Sequence, residues 1–184
     1  CWRRRGSSAA SGSSTCGVPL PRFITTIADF EAAPRAVEVE TDLAFEPLDR
    51  SATSIALISD IEQQILGHRR EVDIEFLLGQ RPAWIARRDG ETAGFAFGHR
   101  EELTGPIGAL DAADIPALLA HVENDAAASG ATNIYFSLPL ENVLATRYLL
   151  GRGFQIDPFL VSLLADDRWL RTDRWVHTGL SYIL

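Results

Sequence analysis

The chain has 184 residues, 46% of them apolar and 9% aromatic, and carries a net charge of −8. That is enough apolar material for one packed domain and argues against a disordered chain. The acidic balance disfavours a nucleic-acid partner, which needs basic residues to displace counterions, and no run approaches the roughly 18 apolar residues of a membrane span.

Cys1 and Cys16 are the only cysteines, and both lie in a Ser/Gly-rich stretch. Two cysteines make neither a disulfide framework nor a zinc site. No His/Cys/acid cluster has ligand spacing, so no metal is expected. "CWRRRGSSAASGSS" is basic but has no apolar segment after it, unlike a secretory signal. A cytoplasmic protein is the resulting expectation.

Residues 1–20 have the composition of a flexible tail. In "PRFITTIADFEAAPRAVEVE", Val37 and Val39 alternate with acids, which suits an edge strand or a linker. "DLAFEPL" reads as a short strand. "SATSIALISDIEQQILG" reads as a helix, with Ser51 as N-cap, Ile58, Ile61 and Ile65 on one face, and Gly67 as stop. "REVDIEFLLG" follows as a second helix, with Val72, Phe76 and Leu77 on its buried side and Gly79 as stop.

Trp84 to Arg88, the pair Asp89-Gly90, and Thr92 to Gly98 predict a hairpin, because Asp-Gly between strand-like runs is a strong hairpin signal. "GPIGAL" is a third short strand. "DIPALLAHVENDAAASG" is a helix with Pro116 in its first turn, a stripe of Ile115, Leu118, Leu119 and Val122, and Gly130 at its end. "NIYFSLP" is a strand, and "NVLATRYLLGRG" a helix closed by Gly151 or Gly153. "FQIDPFLVSLLADD" and "WVHTGLSYIL" are the last strands. The order is therefore β, α, α, β, β, β, α, β, α, β, β. The strand–helix–strand unit over Ile107–Pro139 calls for a right-handed crossover and two parallel strands. The expected class is α/β, with a mixed sheet and helices on both faces.

This order resembles the GNAT superfamily of N-acyltransferases. The resemblance rests on "AWIARRDGETAGFAFGH", "GPIGALDAADIPALLAHVENDAAASGA" and "NIYFSLPLENVLATRYLLGRGF", above all on Asn142 followed by an apolar helix and Gly153-Phe154. It covers residues 42–184 and is nearest to the second domain of tandem members. That implies residues 1–41 are a flexible tail or the remnant of a preceding domain. The family resemblance implies a central mixed, twisted sheet splayed between two parallel strands, here Pro106–Leu110 and Asn133–Pro139. It implies acetyl-CoA as co-substrate. Its pantetheine arm would complete the splayed sheet along Ile107, Gly108, Ala109 and Leu110. Its pyrophosphate would rest on the amides of Ala112, Ala113 and Asp114 at the start of the following helix, where unpaired amides and the helix dipole favour an anion. Asn142 would hold CoA or the acetyl region, or cap its helix, and Arg147 would meet a phosphate.

The handover from strand to helix departs from the family pattern. It has no Gly-x-Gly and no basic residue, but two acids, Asp111 and Asp114. Asp111 also reads as an N-cap, a role that uses the amides a phosphate would want. Catalytic residues remain unassigned. Leu149 stands where the family often has a tyrosine that protonates the leaving thiolate, and Tyr148 is one residue, about 100°, away. Glu101, Glu102 and Asp60 are candidate bases, each also an ordinary surface acid. His99 and His177 are strand-end histidines, and Arg152 is a second cation near the phosphates or a solvated charge. The implied function is acetyl transfer from acetyl-CoA to a primary amine of a small molecule or peptide. The alternative is a catalytically degenerate GNAT-like domain that packs against a partner, with Trp169, Trp175 and Tyr182 available for contact. A homodimer or a second GNAT domain stays open as partner.

Overall fold

Asp89 and Gly90 are the sharpest local instruction in the chain. Both take positive φ, 51° and 84°, as the two-residue turns that match strand twist require. They join β3 (Ala83–Arg88) to β4 (Glu91–Phe97) as an antiparallel hairpin. The computed structural model describes residues 23–100, 104–165 and 171–177, with the backbone alone for 23–25 and 158–165.

The hairpin is the middle of a five-stranded sheet. β2 (Ala44–Pro47) pairs with β3, and β5 (Ile107–Ala109) pairs with β4. β8 (Trp175–Val176) pairs with the far edge of β5. A second, three-stranded sheet has the order β6-β1-β7, from β6 (Ile134–Pro139), β1 (Phe23–Ala32) and β7 (Gln155–Ala165). Among the described residues every pairing in both sheets is antiparallel. The sheets meet where His177 forms an antiparallel bridge to Ser137.

This corrects the expectation of one mixed sheet with two neighbouring parallel strands. β5 and β6 do run in the same direction, since each is antiparallel to the segment Trp175–His177 that lies between them. They pair with that segment instead of with each other. Long-range pairing of this kind leaves no periodic mark in a sequence. β1, N-terminal to residue 42, is the central strand of its sheet and buries Ile27, Ala28 and Phe30. Val37 and Val39 lie outside any strand. The Asn124 amide instead brackets Val37, accepting from its N–H at 2.7 Å and donating to its carbonyl at 2.9 Å.

Helices cover both faces. α1 (Ala52–Leu66) starts on Ser51, which accepts from Ser54 N–H, and ends at Gly67 in the left-handed region. Its Ile58, Ile61 and Ile65 are buried with Ile85, Phe95, Phe97 and Trp175 on one face. α2 (Glu71–Leu78) joins that core through Ile74 and Leu77, whereas Val72 is 81% and Phe76 53% exposed. Apolar residues run nearly all round this eight-residue helix, so spacing alone could not choose its buried side. On the other face, α3 (Ile115–Ala128) buries Ile115, Leu118, Leu119 and Val122, and α4 (Val143–Gly151) adds Ala145 and Leu149. These pack on Phe30, Ile107, Ile134, Phe136 and Val176. Among the described residues no helix is long and apolar enough to cross a membrane.

Leu118→Ala should cost about 2–5 kcal/mol, because the residue is fully buried and its truncation leaves a cavity. Val72→Ala should change stability by less than about 0.5 kcal/mol. Urea unfolding of the two variants measures the contrast.

Candidate functional site

The site is the seam between β5 and β6, filled by β8. On the β5 side, Val176 faces Ile107 and Trp175 faces Gly108. On the β6 side, His177 N–H donates to the Ser137 carbonyl at 2.7 Å. As on any strand, successive side chains take opposite faces. Val176 enters the α3/α4 core and Trp175 the α1/α2 core, where its ring stands edge-on to Phe95 at 6.0 Å. Gly105 permits the close fit: its φ is 83°, and a Cβ there would lie 2.7 Å from the His177 carbonyl oxygen.

Burial holds β8 in place. Trp175 is 3% exposed and Val176 not at all. Burying a valine is worth about 1.5–3 kcal/mol, and a tryptophan, at 150–250 Å² and about 25 cal/mol per Å², roughly 4–6 kcal/mol. The sum, an upper figure, is comparable with the whole binding free energy of a micromolar ligand, about 8 kcal/mol. Arg70 adds to it by lying over the Trp175 ring, 5.5 Å from its centroid. Arg70 is itself fixed by two hydrogen bonds to the buried Glu62, at 2.6 and 3.2 Å.

A polar row crosses the seam on the α1/α2 side. Register places Asp29, Ser137 and His177 side by side on β1, β6 and the end of β8. The Ser137 hydroxyl donates to the Asp29 carboxylate. Burial, with the neighbouring Asp157, pushes the Asp29 carboxyl up from its ordinary range. Trp175 Nε1–H donates to His177 Nδ1 at 3.1 Å, so the neutral ring carries its proton on Nε2. That Nε2 is buried and has no partner.

Ile107, Gly108 and Ala109, expected along a pantetheine arm, are buried in β5, and Leu110 follows half-buried. At the mouth of α3, Asp111 caps: its Oδ1 accepts from Ala113 N–H at 3.0 Å. Asp114 turns to Arg88 in a two-point ion pair at 2.7 and 3.2 Å, and Arg88 also holds Asp42 at 2.7 Å. Asp42, Arg88, Ala113 and Asp114, with Glu40, line an open cleft of about 530 Å³. Three carboxylates face one guanidinium there, a poor balance for a diphosphate.

Asn142 is buried and both ends of its side-chain amide are engaged. Its Oδ1 accepts from Ala145 N–H at 3.1 Å, capping α4, and its Nδ2 donates to the Trp175 carbonyl at 3.3 Å. The structure thus brings Asn142 to the seam, while Arg147 is exposed on α4. Leu149 is fully buried. Tyr148 donates to Glu123 at 3.1 Å, and Arg152 grips both oxygens of the same carboxylate at 3.1 and 2.9 Å. Burial, then the Glu123 charge, pushes the Tyr148 hydroxyl well above its usual range. Asp60 is exposed and paired with Arg69. His99 Nδ1 lies 3.3 Å from Thr104 Oγ1. Glu101, Glu102, Trp169 and Tyr182 lie outside the described residues. Sequence reasoning missed Asp29 and Ser137 and gave His177 no neighbours. Their only sequence signal is a polar residue inside an apolar strand run.

No family model matches the sequence, and no curated protein matches it. Solved structures do share the fold. A Drosophila protein superposes with a TM-score of 0.59 at 12% identity, over 85% of this chain and 52% of its own. A Pyrococcus horikoshii protein named as a "putative acetyltransferase" gives 0.54 at 14% identity, over 82% and 49%. A conserved Staphylococcus epidermidis protein of unknown function gives 0.53 at 9% identity, over 76% and 61%. The chain spans about half the length of the first two.

Burial, then the charge of Arg70, lowers the His177 pKa to about 4, against about 6.5 unfolded. Between those values the unfolded chain binds the extra proton, so stability falls as pH drops from about 6.5 to about 4 and is indifferent to this group above that window. Urea midpoints at pH 7, 5.5 and 4.5 should fall less steeply in His177→Gln than in the parent.

Proposed function

We propose that this chain carries the acyl-CoA cleft of a GNAT-type N-acetyltransferase, which moves an acetyl group from acetyl-CoA to a primary amine of a small molecule or peptide. The observation behind the reading is the seam. β5 and β6 share a direction, flank a gap one strand wide and have no described pairing with each other. Facing strand edges need a partner, since unpaired backbone groups in an interior are costly. An extended arm carrying amides meets that need. The likeness to the Pyrococcus horikoshii protein agrees with this reading of the fold.

In this reading the inner edge of Ile107–Leu110 lies along the pantetheine arm. The 3-10 turn Ala112–Asp114 that leads into α3 lies toward the pyrophosphate, and Asn142 closes the far side. The amine nitrogen attacks the thioester carbonyl. A C–N bond forms, the C–S bond breaks, the nitrogen loses a proton to solvent and the thiolate gains one. Backbone N–H groups of β5 would stabilise the developing oxyanion. Arg147 on α4 is the nearest counterpart of a phosphate-binding cation in the family pattern.

A second reading, a catalytically degenerate GNAT-like packing module, is favoured by specific features of the same site. Asp111 takes an amide a phosphate would use, Leu149 stands in place of a proton donor, and both ends of the Asn142 amide are engaged.

Titration calorimetry with CoA and acetyl-CoA, followed by thiol release with a panel of amines, separates the two. The transferase reading expects saturable binding and release of CoA with at least one amine. No heat at millimolar ligand and no release with any amine would select the packing module.

A further inference from the structure

We propose that β8 is an internal stand-in for the pantetheine arm: it occupies the cleft that acetyl-CoA would enter and gates it by competing for the same strand edges. The inference rests on the transferase reading and adds a control device to that site.

Three contacts define the competition. β5 bonds to Trp175 and Val176, β6 accepts from His177 N–H at 2.7 Å, and Asn142 donates to the Trp175 carbonyl at 3.3 Å. These are the strand edges and the side chain assigned above to the ligand, so the cleft holds one or the other. Among the described residues the seating has two register positions on β5 and one bridge on β6. It is imperfect. His177 Nε2 is buried within it without a hydrogen-bond partner, an arrangement that favours release. Upstream of β8, Arg171 N–H donates to the Ile65 carbonyl at the end of α1, 3.1 Å away.

The test compares the full chain with Trp175→Ala and with Trp175→Phe, which keeps a buried ring. Two readouts run together: hydrogen exchange at Ile107, Gly108, Val176 and His177 amides, and calorimetric titration with CoA. Val176→Ala substitutes for Trp175→Ala should the latter lose its native circular dichroism. The expected result is fast exchange at these amides in Trp175→Ala, CoA binding at least tenfold tighter than in the parent, and parent-like behaviour in Trp175→Phe. Parent protein that binds CoA at micromolar Kd while its Val176 and His177 amides stay protected would overturn the gate and leave the transferase reading standing. Fast exchange in Trp175→Ala with no CoA binding at millimolar ligand would overturn the transferase reading and the gate with it.

Discussion

Two strand edges that face each other across a protein interior must be satisfied by something. That constraint organises this molecule. β5 and β6 are joined by α3 and share a direction, each being antiparallel to the segment between them. Had they paired, the domain would have a single sheet. They stand one strand apart, and the segment Trp175–His177 fills the interval with hydrogen bonds on both sides. Alternation along those three residues sends Trp175 into one core and Val176 into the other. The seam thus ties together the two hydrophobic clusters as well as the two sheets.

The polar chemistry follows from that closure. Asn142 reaches β8 because the N-cap of α4 lies beside the seam, and its amide has one function left after capping. His177 is kept neutral by burial with Trp175 and by the nearby Arg70. Between α3 and α4, Glu123 gathers Tyr148, Arg152 and the Arg35 backbone, fixing the two helices against each other and against the chain after β1. Tyr148 and Arg152 are therefore structural, and the arginine is not free to meet a phosphate. At the α3 mouth, Arg88 supplies the positive charge that the local sequence lacks, but Asp42 and Asp114 already hold it. The gap is the feature an acyl-CoA site needs, and the charge around its mouth is the feature such a site would avoid.

Much of the fold was legible because local rules set it. The Asp89-Gly90 turn, the Ser51 and Asp111 caps, the Gly67, Gly130 and Gly153 stops and the α3 stripe all depend on residues a few positions apart. The buried side of α2 was not legible, since Val72 and Phe76 fit a helical stripe as well as Ile74 and Leu77 do. The central place of β1 and the insertion of β8 were hidden for a different reason. Both are pairings between segments far apart in sequence, and strand alternation specifies a face without naming a neighbour. Ile107–Ala109 and Asn142, singled out from sequence, lie along the seam. The row of Asp29, Ser137 and His177 was not singled out, because it exists only once three distant strands lie side by side.

The central claim is the identity of the strand between β5 and β6. Scalar coupling across hydrogen bonds, measured by NMR on isotopically labelled protein, reads it directly. The account predicts a coupling from the His177 amide nitrogen to the Ser137 carbonyl carbon, and none linking Ile107–Ala109 to Ile134–Pro139. A direct coupling between those two strands, with the His177 coupling absent, would contradict it.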